Sequence, residues 1–295
     1  MGFRNVAEYA NADEAGRTWI TQFRKAVTST ATITSSYVDY TYFAGSPLAN
    51  FYASTPLEAA YVDDSRGIYI PSVTSQYLKN ITVMTSASSA TSTTNQRQQL
   101  MLCDYLLYYP FIDTDSVDLQ EMIQTVEIPR YEGGYVLAIA QAASSSIGQF
   151  TFTYTNQDGV SGRVSPNIFT QIVAGGGQSL TSYISGGGFN PFLPLQAGDS
   201  AVKSIESVTC TVTGGGLMAL VIVKPIRTFF CAQECRRTTT GNLESYGAAA
   251  SVDSLVHEAP PAEIKLGAIL GLISKGCAGS LASSTLVGFI ETLWN

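Results

Sequence analysis

The chain of 295 residues holds a single histidine, His257, just ahead of Pro260-Pro261. Proton transfer near neutral pH most often recruits histidine. With no G-x-S-x-G elbow beside it, a Ser-His-Asp or Cys-His site is not expected, and His257 reads as a solvated loop residue. Cys231 and Cys235 have only that histidine to join them, whereas a tetrahedral zinc site needs four ligands at tighter, paired spacing. Asp113, Asp115 and Asp118 crowd together, but a calcium loop started at Asp113 would find Asp118 where the sharp turn needs Gly and Gln124 where the bidentate Glu belongs. An acidic turn is the expectation. Asp104, Glu121, Glu132, Asp158 and Asp199 are the carboxylates from which a glycosidase pair would be drawn, yet nothing in their spacing brings two together. The glycine triplets starting at Gly175, Gly186 and Gly214 lack both the Gly-Lys-Ser/Thr of a P-loop and the G-x-G-x-x-G pattern. No catalytic residue, metal or cofactor is therefore expected. The aromatic run Tyr105, Tyr108, Tyr109 and Phe111, with Tyr131, suits a sheet core or a subunit interface better than a sugar, because a tyrosine ring packs while its hydroxyl finds a partner.

Composition narrows the function classes. Charged residues are only 13% of the chain, about half the usual share, and a surface so poor in charge is often covered by assembly. The net charge of −7 supplies no positive field for a phosphate backbone, so nucleic acid is not expected as a direct partner. Five cysteines, odd in number and irregularly spaced, do not form a secreted disulfide framework. The N-terminal residues lack an apolar signal core, so no export is expected. The most apolar stretch, Ile264 to Trp294, is interrupted by Lys265, Lys275 and Glu291 and falls short of the ~20 unbroken apolar residues of a membrane span. No membrane contact is expected.

The elements that would position these residues are mostly strands. Trp19, Phe23 and Val27, four apart after Asp13 as a possible cap, predict a short N-terminal helix. Val38, Tyr40 and Tyr42 begin the sheet. Phe150, Phe152 and Tyr154 alternate with threonines, Asn156 to Gly159 supplies turn chemistry, and Val160, Gly162 and Val164 resume the alternation: a hairpin with one wet face. Val208, Cys210 and Val212 form another half-buried strand, and the continuous apolar run Leu217 to Val223 predicts a strand covered on both faces. Residues 231–262 look like a linker. Beyond them, Leu266, Ile269, Leu270 and Ile273 fall at i, i+3, i+4 and i+7, and Leu286, Phe289, Ile290 and Leu293 repeat that spacing, so residues 263–295 predict two amphipathic helices able to pack on the chain's own sheet or in a neighbour's groove. The expected architecture is mainly β: an antiparallel, jelly-roll-like β-sandwich over residues 1–230, with the short N-terminal helix, a linker and a C-terminal helical tail.

Several blocks together resemble a family of virion structural proteins of tailed bacteriophages. They are Gly16 to Trp19, Pro47 to Pro56 (PLANFYASTP), Gly67 to Tyr69, Leu102 to Phe111 (LCDYLLYYPF), Ile128 to Tyr131 (IPRY), Tyr154 to Gly159 (YTNQDG) and Phe192 to Asp199 (FLPLQAGD), leading through Val208 to Pro225. The resemblance implies membership of the particle, assembled in the host cytoplasm, with no enzymatic residue to carry over. Acidity and a β core with a helical arm favour a capsid decoration or cement protein, a homo-oligomer bound to the major capsid protein and to copies of itself. The alternative is a tail or adhesin component at the host surface.

Overall fold

Alternation, far more than helical periodicity, governs this chain. The structure is a computed structural model that describes residues 3, 5–27, 36–70, 76–86, 98–181, 191–231, 233–239, 242–253, 261–276 and 285–294. His257 lies outside that set. Among the described residues there is one α-helix, α1 (Val6–Glu14), capped by Asn5, whose Oδ1 accepts from the Glu8 amide at 2.9 Å. The strands follow as β1 (Thr18–Ala26), β2 (Tyr37–Asp39), β3 (Ala44–Ser46), β4 (Ile68–Tyr69), β5 (Gln76–Ser86) and β6 (Gln98–Asp113). Next come β7 (Gln120–Glu121), β8 (Tyr135–Ala140), β9 (Gln149–Asn156), β10 (Arg163–Val164), β11 (Ile168–Phe169) and β12 (Val202–Val212). The last are β13 (Leu217–Cys231), β14 (Gln233–Thr239), β15 (Asn242–Asp253), β16 (Glu263–Ile264), β17 (Ile269–Gly276) and β18 (Thr285–Trp294). A 3-10 turn, Tyr40–Tyr42, joins β2 to β3.

These strands make three antiparallel sheets. The central one runs β2-β17-β6-β13-β8, with β4 on β17; a second runs β14-β15-β5-β18-β1-β3, with β16 on β5; the smallest runs β10-β9-β12-β7, with β11 on β9. The long partners β6 and β13 span the central sheet. Along one of its faces Leu100, Leu102, Leu270, Leu272 and Phe229 pack with Phe23, Leu78, Ile81, Leu286 and Ile290 of the second sheet. Further along, Leu107, Tyr109, Val136, Leu220 and Ile222 pack with Phe150, Phe152, Tyr154, Val202 and Val208 of the small sheet. The opposite face carries Cys103, Tyr105, Leu137, Val221, Val223 and Ile273 beneath Tyr37, Tyr52 and Val62. A central sheet shared by two flanking sheets replaces the expected jelly-roll-like sandwich, and that part of the expectation is corrected.

The helical tail is corrected too. Residues 269–276 are β17, paired with β6, β2 and β4, and residues 285–294 are β18, paired with β5 and β1. In β17, Leu270 and Leu272 face one core while Ile269 and Ile273 face the other. A strand buried on both faces has no period of two in its hydropathy and is easily confused with a helix. In β18, Leu286 and Ile290 point into the core between the sheets, while Leu293 lies on the opposite face and is buried against Tyr9 and Ala12 of α1. Apolar residues drawn from both faces of one strand imitate the 3.6 period. Neither segment is free to act as a docking arm. Where a linker was expected, β14 and β15 form a hairpin whose second strand pairs with β5.

The N-terminal helix lies earlier than its spacing suggested. Trp19 and Phe23 belong to β1, since residues four apart share a strand face as readily as a helix face; Phe23 and Val27 are buried there and Trp19 is exposed. Asp13 stands near the helix's end. The run Leu217 to Val223 is the doubly covered strand expected: Met218, Leu220 and Ile222 enter one core, Ala219, Val221 and Val223 the other.

Candidate functional site

A carboxylate in the middle of an apolar strand must be paired or expelled. Asp104 on β6 is fully buried, and Arg130 reaches it from the Ile-Pro-Arg-Tyr segment: Nε donates to Oδ2 at 2.9 Å and Nη2 to Oδ1 at 2.7 Å. Nη2 also donates to the Tyr105 carbonyl at 3.3 Å, and the Ile269 amide donates to Asp104 Oδ1 at 3.1 Å. Burial pushes the Asp104 carboxyl above the usual carboxylate range, against the pull of Arg130 and the Ile269 amide. This pair ties Leu102 to Phe111 to Ile128 to Tyr131 and to the start of β17.

A cleft of about 200 Å³ opens beside the pair, lined by Tyr61, Val62, Asp64, Leu106, Pro129, Arg130, Gly267 and neighbours. Tyr61, Asp64 and Pro129 are exposed at its mouth, while Val62, Leu106 and Ile269 are buried at its floor. The Tyr61 hydroxyl donates to the Glu127 carbonyl at 2.7 Å, which fixes the ring. Among the described residues the two hydrogens on Arg130 Nη1 have no acceptor.

Two other charged clusters are closed. Asp39 accepts from the Thr41 amide at 2.9 Å, the Thr41 hydroxyl at 2.8 Å, the Tyr105 hydroxyl at 2.7 Å and the Tyr52 hydroxyl. Burial raises its carboxyl. Nearby, Lys25 shares the buried side of β1 with Phe23 and donates to the carbonyls of Leu48, Phe43 and Thr41 at 2.9, 3.3 and 3.4 Å. Burial pulls the Lys25 amine down to about 8, with Asp39 opposing. The void beside it is about 10 Å³, at or below what one water needs. These residues clamp the 3-10 turn to β1 and β6.

The second cluster joins the Tyr154 to Gly159 and Phe192 to Asp199 blocks. Asp199 accepts from Arg163 Nε at 2.9 Å, the Tyr154 hydroxyl at 2.6 Å and Asn156 Nδ2 at 2.8 Å. Arg163 pairs in register with Tyr154 and points inward, while Val164, expected to continue the apolar face, pairs with Thr153 and is exposed. The arginine holds Asp199 down at about 2.

The residues expected at an interface are mostly committed to the chain's own interior. Tyr105, Tyr108, Tyr109, Ile269, Leu270, Ile273, Leu286, Ile290 and Leu293 are buried. Phe111 and Phe289 are half-buried, and Leu266 is exposed. Asp113, Asp115 and Asp118 form a turn in which Asp113 Oδ1 accepts from the Asp115 amide at 2.8 Å, and Gln120 holds the Asp113 backbone from both sides. Among the described residues no group of three or more His, Cys, Asp or Glu is placed to hold a metal ion. Cys103 and Cys210 are free thiols in the interior, Cys231 is buried there too, and the side chain of Cys235 lies outside the described residues. Among the described residues no helix is long and apolar enough to cross a membrane. Reasoning from motifs missed Tyr61, Asp64 and Gly267 and met Arg130 only inside a resemblance block; the signal for Arg130 was Asp104 itself, a charge in a run that had to be buried.

Comparison with protein-family models, with curated proteins and with solved structures finds no match for this chain.

Proposed function

We propose that this chain is a non-enzymatic structural subunit of a tailed-phage virion, a decoration or cement protein on the head exterior that contacts the major capsid protein and further copies of itself. The observation that carries the reading is the outer face of the small sheet. Its register places Phe169, Gln149 and Val212 in one row, Thr151 and Thr209 in another, and Val164, Thr153 and Ser207 in a third. Phe169, Val164 and Val212 are all exposed. Carboxylates stand at its border, with Glu121 opposite Ser207 and Glu206 accepting from the Thr155 hydroxyl at 2.8 Å. A flat face of uncharged side chains with exposed apolar ones suits burial against a neighbouring subunit. The resemblance blocks point the same way, because Leu102 to Phe111 meets Ile128 to Tyr131 at the buried pair of Asp104 with Arg130, and Tyr154 to Gly159 meets Phe192 to Asp199 where Asp199 accepts from Tyr154 and Asn156, contacts that serve the fold.

Mass spectrometry of purified particles, followed by immunogold labelling, tests the reading. The chain is expected in the particle, with label over the head, and F169E/V212E is expected to fold yet fail to incorporate. Label on the tail would move the chain to the host-attachment end, and absence from purified particles would end the virion reading.

A further inference from the structure

We infer that the cleft beside Arg130 is a binding site for a single neutral sugar ring, a function independent of the virion reading. The lining decides the ligand's charge. Arg130 is already neutralised by Asp104 beneath it, and Asp64 stands exposed at the mouth. An anion entering would meet a carboxylate with no uncompensated cation to offset it. A neutral ligand meets no such penalty.

The remaining chemistry asks for a body with one flat apolar side and a ring of groups that both donate and accept. Tyr61 presents its ring at the mouth, held by the bond from its hydroxyl to the Glu127 carbonyl, so little side-chain entropy is left to lose on contact. The C–H face of a pyranose packs on such a ring. Arg130 Nη1 offers two donors that nothing else among the described residues accepts, and Asp64 offers an acceptor; a sugar hydroxyl satisfies either. A donor left unmet next to an apolar floor of Val62, Leu106 and Ile269 is a standing reason for a polar ligand to bind there. Size agrees: about 200 Å³ equals roughly six or seven waters at ~30 Å³ each, the bulk of one ring and little more. Gly267 helps by absence, since a Cβ there would lie 3.8 Å from Arg130 Nη1 and narrow the approach.

The test uses the purified full chain and saturation-transfer NMR with glucose, galactose, mannose, rhamnose and N-acetylglucosamine at millimolar concentration. At least one sugar is expected to receive saturation through its ring protons, with a millimolar Kd. Tyr61 and Asp64 are surface residues, so Y61A and D64A should unfold at the wild-type temperature. Y61A is expected to weaken binding about tenfold or more, and D64A severalfold. A second arm compares the preferred monosaccharide with an oligosaccharide that ends in it: tighter binding of the oligosaccharide identifies a glycan terminus as the source, and equal binding identifies the free sugar. No transfer to any of the five sugars, or transfer unchanged in both variants, overturns the site. Binding is read on the isolated chain and particle membership on purified virions, so the two proposals fail separately.

Discussion

Removing Arg130 and removing Asp104 break the same ion pair but leave different groups behind. In R130A the survivor is a carboxylate whose side chain has no exposed surface; in D104A it is a guanidinium with 14% of its side chain exposed at a cleft. Truncating one partner of a buried pair costs about 3–5 kcal/mol when the other is stranded. Water entering through the cleft left by the arginine holds R130A to the lower end, about 3 kcal/mol. The arginine stranded in D104A can turn toward the same water, so the loss there is nearer 1–3 kcal/mol, chiefly the unmet Ile269 amide and the lost packing. The double variant should cost less than the sum, with an interaction energy of about 2 kcal/mol. Urea unfolding read by tyrosine and tryptophan fluorescence gives each value from the midpoint at constant slope. The pH dependence adds a sign. Without the guanidinium the folded-state pKa of Asp104, already above 3.8, rises further, so the folded state binds the proton more tightly than the unfolded chain. Stability is then fullest at low pH and is lost as pH rises through the folded pKa, so the R130A deficit should grow as pH rises above the ordinary carboxylate range. A deficit below about 1 kcal/mol for R130A, or a cycle additive within about 0.5 kcal/mol, would refute the account of this pair as a buried staple.

Three further outcomes are expected of other buried groups. Asp199 is held at about 2, below its ordinary 3.8, so its contribution is present above 3.8 and is lost as pH falls toward 2; thermal unfolding of D199N should lack that part of the acid slope. Burial lifts the Tyr109 hydroxyl from 10.0 to about 12, so the folded state keeps a proton that the unfolded chain gives up. About 3 kcal/mol of stability, at 1.36 kcal/mol per unit, is then lost between those values, and alkaline titration of Y109F should be flatter there. A Cβ at Gly288 would come within 2.2 Å of the Thr82 carbonyl oxygen and 2.7 Å of the Phe23 ring. Because the nearest atom is backbone, G288A should cost at least about 2 kcal/mol by denaturant unfolding, and near-neutral stability would show that β5 and β18 are not packed this closely.

The parts of the fold that were legible are those where one face is wet. β9 alternates buried and half-exposed residues along its whole length, and its threonines announced that pattern. The run Leu217 to Val223 was also legible, because triple glycine and Lys224-Pro225 bound it too tightly for a helix. What failed was every strand whose phase is disturbed by long-range packing. β17 is covered on both sides, β18 packs one face on the core and the end of the other on α1, and β1 turns a lysine inward. Lys25 is the most instructive of these. It stands on the buried side between Phe23 and Val27, where a charge hides the strand's apolar face, and only the three carbonyls contributed from Thr41, Phe43 and Leu48 make that burial tolerable.

The candidate site obeys the same logic more severely. Tyr61, Asp64, Arg130 and Gly267 come from three separate loops, and none carries a motif. What brings them together is the demand of Asp104, at the centre of β6, for a countercharge and for the Ile269 amide. Once the guanidinium is drawn in to meet that demand, its geometry leaves one nitrogen over, since a carboxylate can engage Nε and Nη2 side by side but cannot also reach Nη1. The spare donor is therefore a by-product of the fold's own electrostatics, and the loops carrying Tyr61 and Gly267 leave it open to a cleft where they could have covered it. If that opening were incidental, filling it would be harmless to every property but stability. If it holds a sugar, Y61A and D64A separate binding from stability, because neither residue takes part in the ion pair that keeps the strands together.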